Sequence, residues 1–393
     1  MLRRSLLASA PAFLFPSIAR AADDEIKIGN IMPYSGPASS LSEVGKAETA
    51  YMKMLNDRGG INKRRINFIT LDDSYSPPKA VEHARRLVEQ DNVALMFSPL
   101  GTPSISATIK YFNDRKVPHL FAVSGVSRFS DPNLYPYTIT ALANYQVEAR
   151  IYAKLIAKER PNGKIAVLYQ NDDLGIDYLA GLRGLFKDRY DSRVVTASYE
   201  LTDPTVESQV ISLKATGADV LLVAGTPKFA SQAIRKAYDI EWKAMIILNY
   251  PSSSVIGTLQ PAGFEKSIGV ITGAVSKDPD DPRLAKDPAV ADYRAFMAKY
   301  MPASNPSDSA IVFGYNLAMA LEHVLKQCGD DFGRENIMKQ ALNIKQLALP
   351  MTPPGLLIDT SPTNHQMLTQ LQVQRWNGKS FDVMGDVISG AGD

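Results

Sequence analysis

Residues 25–60 read EIKIGNIMPYSGPASSLSEVGKAETAYMKMLNDRGG, a short β-rich run followed by a helical stretch. The apolar content of Glu25–Met32 predicts a strand, and the pattern over Val44–Arg58 predicts a helix. Gly59 and Gly60 end that helix, because glycine is common just past a helix C-terminus. The stretch is therefore a strand–helix unit of the kind from which α/β domains are built.

The same alternation of strands and helices continues along the chain. Further strands are predicted over Ile66–Leu71, Val93–Phe97, His119–Val123, Lys164–Tyr169, Arg193–Ser198, Asp219–Ala224 and Met245–Leu248, and another β-like segment starts over Gly269–Gly273. Further helices are predicted over Lys79–Gln90, Pro103–Arg115, Gln146–Glu159, Leu179–Asp188, Lys228–Tyr238 and 308–327. Several strands are near-continuous apolar runs, which is typical of parallel strands covered by helices on both faces. The pattern therefore predicts a doubly wound, Rossmann-like α/β architecture with parallel sheets.

The composition excludes several classes of protein. Of 393 residues, 45% are hydrophobic and 21% charged, so the chain is neither disordered nor collagen-like. Its 43 Lys and Arg residues against 41 Asp and Glu leave a formal charge of +2, too small for the electrostatic field of a nucleic-acid-binding protein. Cys328 is the single cysteine, which excludes an internal disulfide. With only 4 histidines as well, we predict neither a metal site nor a cofactor.

The first 21 residues have the three parts of a secretory signal peptide. Arg3 and Arg4 form a basic start, Leu6–Ile18 is largely apolar, and Ala19–Ala21 provides a small-x-small cleavage site. The apolar stretch is shorter than the ~20 residues that a membrane-spanning helix needs. We therefore expect cleavage and export of a soluble protein, with a retained membrane anchor as the alternative.

The motifs of common enzymes on this fold do not occur in the sequence. Ile28–Gly36 follows the first strand but lacks the dinucleotide glycine spacing, and neither a phosphate-binding loop nor a nucleophile elbow is found. The adjacent carboxylates Asp72-Asp73 and Asp172-Asp173 follow predicted strands. Because neighbours in sequence seldom face one point, loop capping or a salt bridge is favoured over acid–base catalysis. The sequence therefore predicts that the protein is not an enzyme.

Several motifs resemble, in order, those of leucine/isoleucine/valine-type periplasmic binding proteins. Ile26–Pro37 (IKIGNIMPYSGP) resembles the start of the mature proteins of this family. Further similar motifs are Asn56–Ile61, Leu71–Pro77, Val117–Leu120, Lys164–Gly175 and Gly217–Val220. Each motif is modest, but their order and spacing extend over nearly the whole chain after the signal peptide.

The resemblance implies a type I periplasmic binding fold, in which two α/β lobes are joined by a three-segment hinge and hold a solute between them. The implied lobes are 22–138 plus 275–350, and 139–274 plus 351–393, with Tyr135–Thr140 as a first crossing. It also implies a periplasmic monomer that delivers a small-molecule solute to the membrane permease of an ABC transporter. The ligand-sensing subunit of a signalling system, which uses the same fold, stays open as an alternative.

Candidate solute contacts in the first lobe follow the third and fourth strands. Thr102 is a predicted helix N-cap, so N–H groups and the positive helix end there attract a carboxylate, and Gly101 allows close approach. The match to the family's carboxylate-binding loop favours this site over a simple turn. The next loop resembles the family's second binding loop, and it offers the hydroxyl of Ser124, the backbone of Gly125 and, if the alignment shifts, Ser127.

The second lobe departs from the family's pattern. Leu174 stands where the family has a tyrosine, and Thr226 falls near another aromatic position. Asn249 and Tyr250 fall near the acidic residue that binds an amino acid's ammonium group, and neither supplies the charge that a buried ammonium prefers. The resemblance therefore implies a small organic acid, stacked by Tyr250 or Tyr34 if it is aromatic, while a branched-chain amino acid stays open.

Overall fold

The computed structural model describes residues 25–389, so the predicted signal peptide over residues 1–21 lies outside the described residues. Within that range the strands are β1 (Glu25–Met32), β2 (Arg65–Asp72), β3 (Leu95–Phe97), β4 (His119–Ala122), β5 (Thr138–Thr140), β6 (Ile165–Gln170), β7 (Val194–Tyr199), β8 (Val220–Ala224), β9 (Met245–Leu248), β10 (Ile271–Ala274), β11 (Gln370–Trp376) and β12 (Phe381–Ser389). The helices are α1 (Glu43–Asp57), α2 (Pro77–Arg85), α3 (Thr102–Asp114), α4 (Tyr145–Glu159), α5 (Asp173–Phe186), α6 (Tyr190–Arg193), α7 (Glu207–Ala215), α8 (Pro227–Asp239), α9 (Gln260–Ala262), α10 (Pro288–Tyr300), α11 (Ser309–Gln327) and α12 (Arg334–Ala341).

Two separate sheets organise the molecule. The first has the order β2-β1-β3-β4-β5 and is parallel throughout, with β1 and β2 in register from Glu25–Arg65 to Met32–Asp72. The second has the order β12-β11-β10-β9-β8-β6-β7. We call each sheet with its packed helices a lobe, the first on the five-stranded sheet and the second on the seven-stranded sheet.

The chain passes between the two lobes three times: between β5 and α4, after β10, and before β11. Two of the crossing segments are hydrogen-bonded to each other, because the Thr140 N–H donates to the His365 carbonyl and the Met367 N–H donates to the Thr140 carbonyl, both over 2.9 Å. The segment after β10 is hydrogen-bonded to the segment before β11, because the Lys277 N–H donates to the Met351 carbonyl over 2.9 Å. The residue boundaries of the lobes given above stay a prediction.

The predicted strands are confirmed, with ends that differ by no more than two residues. The helix predicted from Leu179 begins earlier, at Asp173, because the Asp172 side chain accepts a hydrogen bond from the Leu174 N–H and caps it there. The sequence pattern does not predict β5, α6, α7, α9, α10, α12 or the final strands. Thr138–Thr140, expected within the first crossing, instead forms β5 beside β4 in the first sheet, and the crossing follows it. Since β11 pairs antiparallel with both β10 and β12, the second sheet is mixed rather than purely parallel.

Two long helices of the first lobe bring further residues toward the second lobe. Helices α1 and α11 pack closely, since a Cβ atom on Gly314 would lie 2.4 Å from the Val44 carbonyl oxygen. This contact fixes the N-terminal turn of α11, including Phe313, at the carboxyl edge of the first sheet. Among residues 25–389, no helix combines the length and apolar character needed to cross a membrane.

Candidate functional site

A cavity lies between the two lobes at the carboxyl ends of their parallel strands, which is where open α/β sheets bind ligands. It contains about 620 Å³ of empty space, part of it open to solvent. The lining residues are Leu41, Val44, Tyr75, Leu100, Gly101, Thr102, Val123, Leu142, Tyr145, Leu174, Gly225, Thr226, Tyr250, Pro251, Ser253, Ser254, Ser309, Ala310 and Phe313.

The walls of this cavity are largely apolar, and residues 25–389 contribute no Asp, Glu, Lys, Arg or His side chain to them. Its polar groups are hydroxyls and main-chain groups. Burial raises the pKa of Tyr75 and of Tyr145 above the usual range, so both stay protonated at physiological pH. The cavity therefore presents neutral hydrogen-bonding groups to whatever it holds.

Four helices begin at the cavity wall. Thr102 is the first residue of α3, Ser309 is the first of α11, Leu174 is the second of α5, and Thr226 is the residue before α8. The first N–H groups of a helix lack intrahelical partners and carry the positive end of its dipole. The Asp172 and Asp308 carboxylates already cap α5 and α11, whereas α3 and α8 have no side-chain cap. The ends of α3 and α8 therefore favour an anion, although no cationic side chain of the described residues lines the cavity.

The loop before α3 is shaped by a glycine. Gly101 has φ +116°, which side-chain-bearing residues rarely adopt, and a Cβ atom there would lie 2.5 Å from the Tyr75 ring. Behind this loop the Thr102 and Ser124 hydroxyl oxygens are 2.8 Å apart and hydrogen-bonded. Ser124 therefore supports Thr102, which itself lines the cavity.

Five of the ten sequence-predicted site residues line the cavity together: Gly101, Thr102, Leu174, Thr226 and Tyr250. Thr226 is buried, and its hydroxyl oxygen has no hydrogen-bond partner among residues 25–389. Its main-chain N–H donates to the Tyr199 hydroxyl over 3.0 Å, which holds the residue against the wall. Whether these residues contact a solute stays a prediction.

The other five predicted residues lie outside the lining. Tyr34 is hydrogen-bonded to the Thr70 hydroxyl at 2.7 Å, and burial raises its pKa to about 12. Ser124 lies behind Thr102, as described above. Gly125 packs on the Tyr145 ring, where its own Cβ would lie 2.5 Å from Cδ1.

Ser127 and Asn249, the last two of these five, are likewise engaged by protein groups. Ser127 donates its main-chain N–H to the Asp177 carboxylate over 2.6 Å. Asn249 is fully buried, and its amide donates to the Gly225 carbonyl over 3.0 Å.

Sequence reasoning missed three aromatic residues of the wall. Tyr75 and Tyr145 follow the ends of β2 and β5, and a rule that collects aromatic residues after strand ends would have found them. Phe313 lies in the first turns of α11, where its helical spacing indicates core packing. It contacts Tyr250 of the other lobe edge-on, with ring centroids 5.8 Å apart.

Two buried carboxyl groups lie behind the wall and are engaged by protein donors. Glu148 of α4 accepts from the Tyr250 N–H over 2.7 Å and from the Tyr152 hydroxyl over 2.6 Å, and burial raises its pKa. Asp308 caps α11 by accepting from the Ala310 N–H over 3.0 Å. Burial raises the pKa of Asp308 to about 6.

The described part of the chain contains no group of three or more His, Cys, Asp or Glu side chains placed to hold a metal ion. Cys328 is buried in the first lobe, and burial raises its pKa to about 11, so the thiol is unreactive at neutral pH.

Comparison with known proteins gives a consistent result. A family model described as a periplasmic binding protein matches residues 25–380. Leu/Ile/Val-binding protein homolog 7 of Brucella suis biovar 1 (strain 1330) is 24% identical over 404 residues, covering 99% of this chain and 98% of that protein.

Solved structures share the architecture. A possible leucine/isoleucine/valine-binding protein from Rhodopirellula baltica SH 1 superposes with a TM-score of 0.82 at 20% identity, covering 93% of this chain and 98% of that one. A branched chain amino acid ABC transporter from Thermus thermophilus with bound valine gives a TM-score of 0.83 at 14% identity, covering 93% and 97%. These likenesses confirm the predicted two-lobed α/β fold.

Proposed function

This chain belongs to the periplasmic binding protein family, and from that membership we propose that it is the extracytoplasmic receptor of an ABC importer. It captures a small carboxylate-bearing solute in the cavity between its lobes and releases it chemically unchanged to a membrane permease. The names of its relatives, which include Leu/Ile/Val-binding proteins, support a role in solute uptake. Its periplasmic location and monomeric state are parts of the same proposal.

The observation that carries the choice of solute is the chemistry of the cavity lining. The helix ends at Thr102 and Thr226, which have no side-chain cap, favour an anion, and the two threonine hydroxyls can donate to carboxylate oxygens. The aliphatic and aromatic walls favour an apolar body on the same molecule. A monocarboxylate with an aliphatic or aromatic chain fits both features.

A zwitterionic amino acid fits this lining less well. A buried ammonium group needs a carboxylate partner, and none belongs to the lining. Asp308, behind Ser254 and Ser309, already accepts from the Ala310 N–H and from the Ser254 hydroxyl. Because Asp308 does not belong to the lining, we propose an organic acid and keep a branched-chain amino acid as the competing solute.

We assign the contacts as follows. Thr102 and Thr226 donate hydroxyl hydrogen bonds to the carboxylate from opposite lobes. Tyr250 and Phe313, also from opposite lobes, enclose the apolar chain. Because each pair spans the cleft, a bound solute makes contacts that exist only when the lobes are together, and this differential contact drives closure.

The test uses solutes that differ only in the ammonium group. Protein freed of co-purified solute by unfolding and refolding is titrated calorimetrically with 4-methylpentanoate and L-leucine, and with 3-phenylpropionate and L-phenylalanine. We expect at least one acid to bind at least tenfold more tightly than its amino acid. Tighter binding of L-leucine than of 4-methylpentanoate, with neither aromatic compound bound, would refute the organic-acid assignment.

A matched pair of variants tests the assigned contact. Thr226→Val keeps the shape of the side chain and removes its hydroxyl, so the Kd of the best acid should rise about tenfold. Thr196→Val makes the same change on an exposed position of β7 and should leave the Kd unchanged. If both variants change the Kd by the same factor, Thr226 does not bind the solute.

Uptake separates the importer from the sensing alternative. Cells that lack this chain should lose uptake of the solute identified by calorimetry, and expression of the chain should restore it. Unchanged uptake, with a lost transcriptional response to the same solute, would favour the signalling role.

A further inference from the structure

A polar contact joins the two lobes beside the cavity but outside its lining. The first lobe contributes Ser106 of α3 together with Ser127 and Arg128, which follow β4. The second lobe contributes Asp173 and Asp177 of α5. We call these five residues the interlobe clasp.

One half of the clasp is an ion pair. The Arg128 guanidinium donates to the Asp173 carboxylate over 2.6 Å, and the Ser106 hydroxyl donates to the same oxygen over 2.6 Å. The side chains of Arg128 and Asp173 are 41% and 33% exposed, so water and salt screen this pair.

The other half is better shielded. Asp177 is only 8% exposed and accepts from the Ser127 N–H over 2.6 Å and from the Ser127 hydroxyl over 2.9 Å. Gln146 of α4 donates to the same carboxylate over 2.8 Å, which orients it toward the first lobe. Hydrogen bonds to a shielded carboxylate are stronger than those of an exposed pair, so this half contributes more.

The sequence of α5 explains how the clasp and the cavity come to share a helix. Asp173 and Asp177 are four residues apart and therefore lie on one face, which meets the first lobe. Leu174 is next to Asp173 and lines the cavity. None of the five clasp residues lines it.

We propose that the interlobe clasp sets how tightly the protein holds its solute, by stabilising the arrangement in which the lobes enclose the cavity. The inference rests on the proposed function as a solute receptor. Every bond of the clasp between lobes breaks when the lobes separate, whatever the solute is. The apparent Kd equals the intrinsic Kd divided by the fraction of closed protein, so weakening the clasp raises the Kd of every solute by one common factor.

This common factor separates the clasp from a contact residue. A residue that touches the solute changes the ratio of two Kd values, whereas a clasp residue leaves that ratio constant. Ser127, which the sequence suggested as a solute contact, is the clearest case, because the two roles predict opposite results for Ser127→Ala.

The experiment measures the Kd of 4-methylpentanoate, 3-phenylpropionate and L-leucine by calorimetry for clasp variants. Asp177→Asn removes the negative charge and one of the two acceptor oxygens that Ser127 and Gln146 use, so we expect each measurable Kd to rise about tenfold. Arg128→Gln and Ser127→Ala should raise them about threefold, all with constant ratios. The control variant Arg183→Gln removes an ion pair of α5 with Asp191 inside the second lobe and should leave every Kd unchanged.

Unfolding by urea shows whether each variant retains native stability, and small-angle scattering of solute-free protein reports the lobe separation. Kd values that stay within twofold of the wild type in Asp177→Asn, or that shift with altered ratios in Ser127→Ala, would overturn the proposal. If none of the three compounds binds, the proposed solute class is refuted. Small-angle scattering still tests whether the interlobe clasp holds the lobes together. A larger radius of gyration in Asp177→Asn than in Arg183→Gln then supports it, and equal radii overturn it.

Discussion

Replacing Gly101 by alanine should disturb both the stability of the protein and the shape of its cavity. The backbone at Gly101 has φ +116° and ψ +123°, a conformation that alanine adopts only under strain. In addition, the new Cβ atom would lie 2.5 Å from the Tyr75 ring. Tyr75 is 5% exposed and lines the cavity, so a displacement of its ring would change the shape of the wall.

A second glycine separates the two effects. Gly263 has nearly the same backbone conformation, with φ +104° and ψ +123°, but its Cβ would meet the flexible side chains of Glu265, at 3.0 Å, and Lys266, at 3.3 Å. Gly263→Ala should therefore cost the backbone strain alone, about 1–3 kcal/mol. Gly101→Ala should cost about 1–3 kcal/mol more, because the Tyr75 ring must also move.

Urea unfolding gives the free energy of unfolding of both variants, and calorimetry gives the Kd of the best solute. We expect Gly101→Ala to be the less stable variant and to bind at least tenfold more weakly, whereas Gly263→Ala binds like the wild type. Equal losses of stability in the two variants, together with an unchanged Kd in Gly101→Ala, would show that the Tyr75 ring does not form the wall as described.

Three further predictions concern buried groups. Burial lowers the pKa of His119 to about 3. The unfolded state therefore binds more protons than the folded state below pH 6.5. As a result, the free energy of unfolding should fall by up to about 1.4 kcal/mol per pH unit from there toward pH 3. His119→Gln should flatten that slope in urea unfolding measured across this range. Phe313→Ala should lower the free energy of unfolding by about 3 kcal/mol and shift the calorimetric preference toward longer acids, because it enlarges the cavity. Glu148→Leu leaves the Tyr250 N–H and the Tyr152 hydroxyl without their acceptor and should cost about 2–6 kcal/mol, whereas Glu148→Gln keeps an acceptor and should cost about 1 kcal/mol in the same assay.

The strands could be predicted where the residues of the strand itself determine its structure. Parallel strands covered on both faces need continuous apolar residues, and β6 and β8 carry them as IAVLY and VLLVA. The hairpin β11–β12 was missed although Gln370–Trp376 alternates polar and apolar residues, because continuous apolar runs identify only strands that are covered on both faces. Its pairing with β10 depends on residues about 100 positions away, which no local period reveals.

The site was predictable only where main-chain geometry determines it. Gly101 and Thr102 reach the cavity because a turn between a parallel strand and its helix must end there. Asn249 and Ser127 have side chains equally suited to a solute, yet each bonds to a protein group instead. The partner of Ser127 is Asp177, 50 residues away, and only the folded chain brings that carboxylate within reach.

Helix α5 then shows how selectivity and affinity can be separated in this protein. Leu174 lies on the cavity wall, so its size and polarity act on one solute more than on another. Asp173 and Asp177 flank it on the face toward the first lobe and act on all solutes alike. Leu174→Tyr should therefore change the ratio of the Kd values for 4-methylpentanoate and 3-phenylpropionate, while Asp177→Asn raises both by one factor. Because adjacent positions of one rigid helix perform the two tasks, a receptor of this kind can change its solute by substitutions on the wall and keep the same closing energy.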